Sequence, residues 1–295
     1  MKVPRKIRQY FHQYCSSLFP RTAITSKIPL TVLMPLAEKD LGNAEYSVPA
    51  LRQHLLHPIE EFVIVGQNSD QIRNFCFQNK ITYYNENEIL PAEISNRDLR
   101  INGINATGWI KQQFIKLSAF NFINAKNIYA HDADTFLLRN LSFFKGDKQI
   151  LLNSDEYIDA YHKMNRYLLG NIKRYPRSFI AHGMLFQKEY MNKLHAHVLN
   201  NTGLTLFEAV LKKLQSKSDY SLAEYELYGN FLYNFYPDSF VSNYWYNFQI
   251  RHDQKFDFEV LSQRYKRFNS ISYHVRPFHK KKNSLFRQVR RKLFQ

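Results

Sequence analysis

The chain has 295 residues, 44% of them hydrophobic and 16% aromatic, and its 24 Phe and 20 Tyr against nine Gly exclude a disordered, collagenous or low-complexity protein. Two cysteines, Cys15 and Cys76, give no disulfide framework and no cysteine zinc site, as expected of a reducing compartment. The net charge of +16 sits at the ends: residues 1–37 carry six Lys/Arg and residues 260–295 eleven, with no acid in either, which leaves 24 basic against 25 acidic residues in the 222 between.

The N-terminal segment, residues 1–27, lacks the apolar core of a signal peptide, and no stretch approaches the ~20 apolar residues that span a bilayer. A cytoplasmic protein is expected, peripheral on the inner face of the membrane. Ile7, Tyr10, Phe11, Tyr14 and Leu18 interleave with Arg5, Lys6 and Arg8 as a weakly amphipathic basic helix. Residues 28–36 (IPLTVLMPL) then read as a buried strand, and the polar stretch after it turns into a helix. A strand at 61–66, a helix around 69–78 and a strand around 80–84 complete βαβαβ, the pattern of a doubly wound α/β domain. Residues 86–105 are polar and irregular, a loop over the site, and residues 108–122 read as an amphipathic helix.

Residues 127–138, NIYAHDADTFLL, run from an apolar strand into two aspartates one residue apart. Strand side chains alternate with period two, so Asp132 and Asp134 at the carboxyl end of a strand in an open sheet would point the same way. Two such carboxylates beside a cleft suit Mg²⁺ or Mn²⁺ and, through the metal, a diphosphate. An Asp-x-Asp by itself also marks an ordinary turn.

After residue 140 the alternation degrades into mixed elements: a strand near 179–186 and helices near 189–199, 206–214 and 222–235. The tail, residues 279–295, places Leu285, Phe286, Val289, Leu293 and Phe294 on one helical face, with Arg287, Arg290, Arg291 and Lys292 on the rest. That pattern suits an interfacial helix on an anionic leaflet, or a basic tail packed on its own domain. No nucleic-acid-binding motif accompanies the charge, so no nucleic-acid partner is expected.

Three further groups of residues bear on chemistry. Trp109, Gln112, Gln113 and Lys116 share a helix face at spacings of three and four, an aromatic ring, two amides and a cation that could meet a sugar or phosphate. His182-Gly183 sits at a kink in an apolar strand, where a lone histidine is ordinarily structural. Ser221 and Glu224 have the spacing of a capping box, which explains both structurally. A glutamate in the first helical turn is also held ionised by the helix dipole and suits a carboxylate base. Glu226 faces elsewhere and is the alternative.

GWIKQQFIKL, AHDADTFLLRNLSF, FIAHGMLF and SLAEYELYGNF, in this order, resemble the bacterial GT-A superfamily glycosyltransferase-like proteins of the DUF6492 type. The resemblance implies a Rossmann-like nucleotide-sugar-binding half over 28–140, an acceptor half over 141–278, and Asp132 and Asp134 binding Mn²⁺ or Mg²⁺ on the donor diphosphate. It adds His274 as a third metal ligand with His279 behind it, and Pro35 and Asp40 beside the nucleotide base or ribose. As the sugar leaves, metal, Lys116 and Arg276 would neutralise the diphosphate, and Glu224 would deprotonate the acceptor hydroxyl if the reaction inverts. The acceptor is expected to be a glycan or lipid-linked glycan of a bacterial surface polysaccharide.

Two other readings compete. Asp132-Ala-Asp-Thr135 also fits a haloacid-dehalogenase-type phosphatase, with Asp132 as nucleophile, but the downstream acidic pair which that chemistry needs is missing. A non-enzymatic membrane- or polyanion-binding protein would account for the basic ends and leaves the motifs of the neutral body unexplained.

Overall fold

The apolar run after residue 28 forms strand β1 (Leu30–Leu36), buried along its whole length. Helix α1 (Leu41–His54) leads to β2 (Ile59–Gly66), then α2 (Asp70–Gln78) to β3 (Thr82–Asn85). The loop expected over 86–105 contains a helical turn at Glu86–Ile89 and a hairpin of Arg100–Ile101 with Ile104–Asn105. Helix α3 (Thr107–Leu117) feeds β4 (Asn127–His131), which is followed by β5 (Thr135–Leu137), β6 (Lys148–Asn153) and α4 (Asp159–Leu169). Then come β7 (Gly183–Gln187), α5 (Lys188–Thr202), α6 (Leu206–Ser216), α7 (Glu224–Phe235), β8 (Phe240–Tyr244), β9 (Asn247–Ile250), α8 (Phe258–Arg264) and β10 (Ser270–Tyr273). This computed structural model describes residues 23–91, 94, 98–101, 104–216, 219–250 and 256–273, with Phe11 and Tyr14. The basic amphipathic ends, His274, Arg276 and His279 lie outside the described residues.

The central sheet has the order β7-β4-β1-β2-β3, parallel except for β7. This is the mixed α/β, mostly parallel, Rossmann-like arrangement expected from the alternating pattern. The register sets Leu33 beside Val63 on one side and Ala130 on the other. Both faces are covered, which is why β1, the second half of β2 and the middle of β4 read as apolar runs. Leu33, Val63, Val65, Ile128, Ala130, Met184 and Phe186 pack towards α3, α5, α6 and α7. The alternate residues Val32, Met34, Phe62, Ile64, Tyr129 and Leu185 pack towards α1 and α2. Two smaller sheets, β8-β6 with the short strand Phe144–Lys145 and β9-β10-β5, extend the second half. Among the described residues no helix is long and apolar enough to cross a membrane.

Two packing features have measurable consequences. A Cβ at Gly229 on α7 would lie 2.3 Å from the Phe179 ring, which is itself stacked on Tyr175 at 4.5 Å. Alanine's helix propensity favours it over glycine by only ~1 kcal/mol, whereas overpacking costs about 1–3 kcal/mol and more when the neighbour cannot retreat. Gly229→Ala is therefore expected to lower the denaturation midpoint.

His57 is the second feature. Its Nδ1–H donates to the Ile28 carbonyl at 2.8 Å while Nε2 accepts from the Phe143 N–H at 3.0 Å, so the fold uses the neutral ring. Burial lowers its pKa below 6.5, against the opposing bond to Ile28. The folded state then binds fewer protons, and this stabilisation, complete above pH 6.5, is lost as pH falls through the depressed value. The thermal midpoint should fall as pH drops from 7 to about 5, less steeply in His57→Gln.

Candidate active site

The carboxyl ends of β1, β2 and β4 open into a cavity of about 850 Å³, within the range that holds small-molecule ligands. It lies where the strand order departs to both sides of β1, the position at which open α/β sheets bind ligands. Its floor is Pro35, Leu36, Ala37, Val65 and Gln67, with Lys39 and Asp40 beyond β1. Asp132 and Asp134 stand at its edge, one residue apart after β4, and the intervening Ala133 lines it as well while packing on the core. The turn is closed by the Thr135 N–H donating to the Asp132 carbonyl at 3.0 Å. His131 braces it from behind: its Nε2–H donates to the Thr135 carbonyl at 2.9 Å and its Nδ1 accepts from Tyr129 Oη at 2.8 Å.

Asp132 is the hub. Lys116, from the last turn of α3, reaches its Oδ1 at 2.5 Å and also donates to Glu224 Oε1 at 2.7 Å and to Tyr225 Oη at 3.0 Å. Tyr225 in turn donates to Asp132 Oδ1 at 3.1 Å, which closes a triangle. Burial opposes the charge of Asp132, but Lys116 and His182 outweigh it and hold the carboxyl well below its ordinary value. Burial likewise opposes the Lys116 charge, and Asp132 with Glu224 outweighs it, raising the ammonium pKa.

Lys116 was expected to meet a donor phosphate. It lines the cavity, but an ammonium has three N–H donors and all three serve Asp132, Glu224 and Tyr225. It fixes and neutralises the site from beneath. Glu224, expected as the acceptor base, is 4% exposed and shares that same ammonium. Its place at the helix start does not come from a capping box. Helix α7 begins at Glu224 with Ala223 at the N-cap, the Gln113 side-chain oxygen accepts the Glu224 N–H at 2.9 Å, and the Ser221 N–H goes to Ala160 instead. Gln113, placed on a binding face by its spacing, lines the cavity and also caps α7.

His182 has a left-handed backbone, φ 59°, which ends the apolar strand so that β7 starts only at Gly183. Its Nδ1 lies 3.7 Å from Asp132 Oδ2, and its carbonyl accepts the Asp132 N–H at 3.1 Å. Gly183 and Glu226 do not line the cavity, contrary to the expectation that they contact substrate. A Cβ at Gly183 would meet Tyr129 Oη at 2.6 Å, so glycine there serves close packing. Glu226 points the other way and accepts from Ser178 Oγ, the Phe179 N–H at 3.2 Å and Asn230 Nδ2 at 2.7 Å, holding the segment that leads into His182.

Trp109 and Gln112 line the cavity, Trp109 stacked on Tyr161 of α4 with ring centroids 6.1 Å apart. The wall also includes Ser154, Asp155, Glu156, Tyr244, Trp245, Asn247 and Gln249. None of these, nor Tyr161 or Tyr225, stood out in the sequence, because each is an ordinary polar or aromatic residue until β6, α4, α7, β8 and β9 bring it to the cavity.

Asp132 and Asp134 were expected to hold a divalent cation. Asp132 Oδ1 is committed to Lys116 and Tyr225, so a cation would meet Oδ2, which His182 Nδ1 approaches at 3.7 Å, together with Asp134. Among the described residues no group of three or more His, Cys, Asp or Glu forms a cage. A pair of carboxylates, one of them held ionised, fits the manner in which Mg²⁺ is bound by one or two carboxylates together with substrate phosphates.

No family model matches the chain, so the DUF6492-type resemblance finds no support there, and no curated protein matches it in sequence. Solved structures resemble it at low identity. Mouse xyloside xylosyltransferase 1 in its apo form is 12% identical, with a TM-score of 0.45 over 83% of this chain and 97% of that one. The galactosyltransferase LgtC in complex with donor and acceptor sugar analogues is also 12% identical, with a TM-score of 0.46 over 90% and 95%. The glycosyltransferase GlyE of Streptococcus pneumoniae TIGR4 gives 12% identity and a TM-score of 0.41 over 90% and 60%.

Proposed function

We propose that this protein is a glycosyltransferase that moves a sugar from a nucleotide-sugar donor to a hydroxyl of a glycan or lipid-linked acceptor. The observation that carries the reading is the placement of Asp132 and Asp134, with the buried Lys116 beneath Asp132, at the sheet-end edge of a cavity large enough for a nucleotide sugar. The nucleoside lies over the ends of β1 and β2, near Pro35 and Asp40, and the diphosphate at the two aspartates. A divalent cation bound there would act as a Lewis acid on the departing diphosphate. Lys116 keeps Asp132 ionised and fixed for that task, Tyr225 locks the same oxygen, and His182 faces the other one.

In this account Glu224 anchors Lys116 and is not the acceptor base. Loss of a general base typically costs ~10²–10⁴ in rate. Glu224→Gln, which keeps an acceptor for Lys116, is expected to lower kcat by less than that, with a larger loss in Glu224→Ala; equal and complete loss in both would restore the base role. The reading itself is tested by release of nucleotide from a panel of nucleotide sugars with Mn²⁺. Release that a chelator stops supports it, and silence across the panel counts against it.

The proposed setting is bacterial surface polysaccharide synthesis at the inner face of the membrane, supported by the six and eleven basic residues of the two ends. The full chain is expected to sediment with anionic vesicles, and less so at high salt.

A further inference from the structure

We infer that the Trp109–Tyr161 pair is a saccharide-stacking subsite for a neutral acceptor of at least two sugar rings. Three features of the cavity point there. Trp109 is 37% exposed although its ring is stacked at 26° on Tyr161, so an indole is held rigidly at the wall with part of its surface open. An exposed, pre-ordered aromatic ring suits the C–H face of a pyranose, which needs little entropy to be fixed against it. Tyr161 belongs to α4, which follows the Asp155-Glu156 wall and not the strand ends that form the floor. The pair therefore joins α3 to the second half of the chain.

The polar groups of that side select the ligand. Asp155, Glu156, Gln112 and Asn105 line the same cavity as carboxylates and amides that suit sugar hydroxyls, although Asp155 Oδ2 accepts from Tyr244 Oη at 2.6 Å and Asn105 Oδ1 from the Thr107 N–H at 3.0 Å. The nearby cation on α3, Lys111, is paired with Glu86 at 3.2 Å. Carboxylates repel a phosphate and accept hydroxyls, so this side suits an uncharged saccharide better than a nucleotide. Length follows from the helix: Trp109 precedes Lys116 by seven residues, about 10 Å at 1.5 Å per residue. That spacing leaves room for a second ring between one stacked on Trp109 and the Asp132 end of the cavity.

The inference rests on the transferase reading only for the name acceptor, and its test needs no donor. The protein has two tryptophans, and Trp245 is 4% exposed with its indole N–H donated to Ser270 Oγ at 2.9 Å. Titration with maltotriose, cellotriose, chitotriose and mannotriose is expected to give a saturable change of tryptophan emission with at least one. Glucose, mannose and N-acetylglucosamine should bind at least about tenfold more weakly. Trp109→Phe should reduce the emission change, leaving what Trp245 on the cavity wall contributes, while calorimetric binding persists, because a ring remains; Trp109→Ala should raise Kd about tenfold. No response to any trisaccharide, or an unchanged Kd in Trp109→Ala, would overturn the subsite. Trisaccharide binding without turnover of any nucleotide sugar would leave the subsite standing and remove the transferase reading. Nucleotide release without trisaccharide binding would do the reverse.

Discussion

Lys116→Met should lower the thermal midpoint by about 10 °C and abolish activity, because it strips the cation from a buried charge cluster. Lys116 and Glu224 have side chains 5% exposed, and Asp132 shares the same ammonium. Breaking a buried ion pair by removing one partner typically costs ~3–5 kcal/mol, since the remaining charge keeps its desolvation penalty. Here both Asp132 and Glu224 would lose the cation they share. Folded domains hold only ~5–15 kcal/mol in total, so the loss is a large fraction of the margin. The expectation has an internal check. Lys116→Met combined with Glu224→Gln should be less destabilised than the sum of the two single variants, as removing the second charge relieves part of the first cost. Strict additivity would mean that the two side chains are not energetically coupled, whatever their distance.

Asp134→Asn should separate chemistry from folding. Asp134 is half-buried at the cavity edge, where Thr135 Oγ1 approaches its carboxylate at 3.4 Å. Its replacement should leave the midpoint within ~1 kcal/mol of wild type, as for a substitution outside the core. Loss of one of two cation-holding carboxylates should nevertheless remove several kcal/mol of transition-state stabilisation, at least ~10³-fold in nucleotide release. Asp132→Asn should lose both activity and stability, because Asp132 is also the counter-ion of Lys116. Equal thermal losses in the two variants would argue against this division of labour.

Much of the frame was legible because the forces behind it are local. Strand β1 is buried along its whole length and β2 and β4 carry buried apolar segments, and Asp-x-Asp after such a segment announces itself by period. The site's wiring was not legible, because its partners are far apart in sequence. Lys116 and Glu224 are separated by 108 residues, and only the docking of α7 on α3 brings them to 2.7 Å. The Ser221/Glu224 spacing misled for the same reason: Gln113, 111 residues away, supplies the cap that the local motif would have supplied. The strand expected near 179–186 starts at Gly183, because Glu226 holds Ser178 and Phe179 and His182 turns left-handed. Tyr161 lay in a helix with nothing to mark it until Trp109 was found stacked on it.

The central claim is that Asp132 and Asp134 hold a nucleoside diphosphate through a divalent cation, and calorimetric titration tests it most directly. UDP, GDP, ADP and CDP would each be titrated into wild type and Asp134→Asn, with Mn²⁺ and with a chelator. The account predicts binding of at least one nucleotide that requires Mn²⁺ and is lost in Asp134→Asn. Binding of none, or binding that neither the chelator nor the substitution weakens, would contradict it.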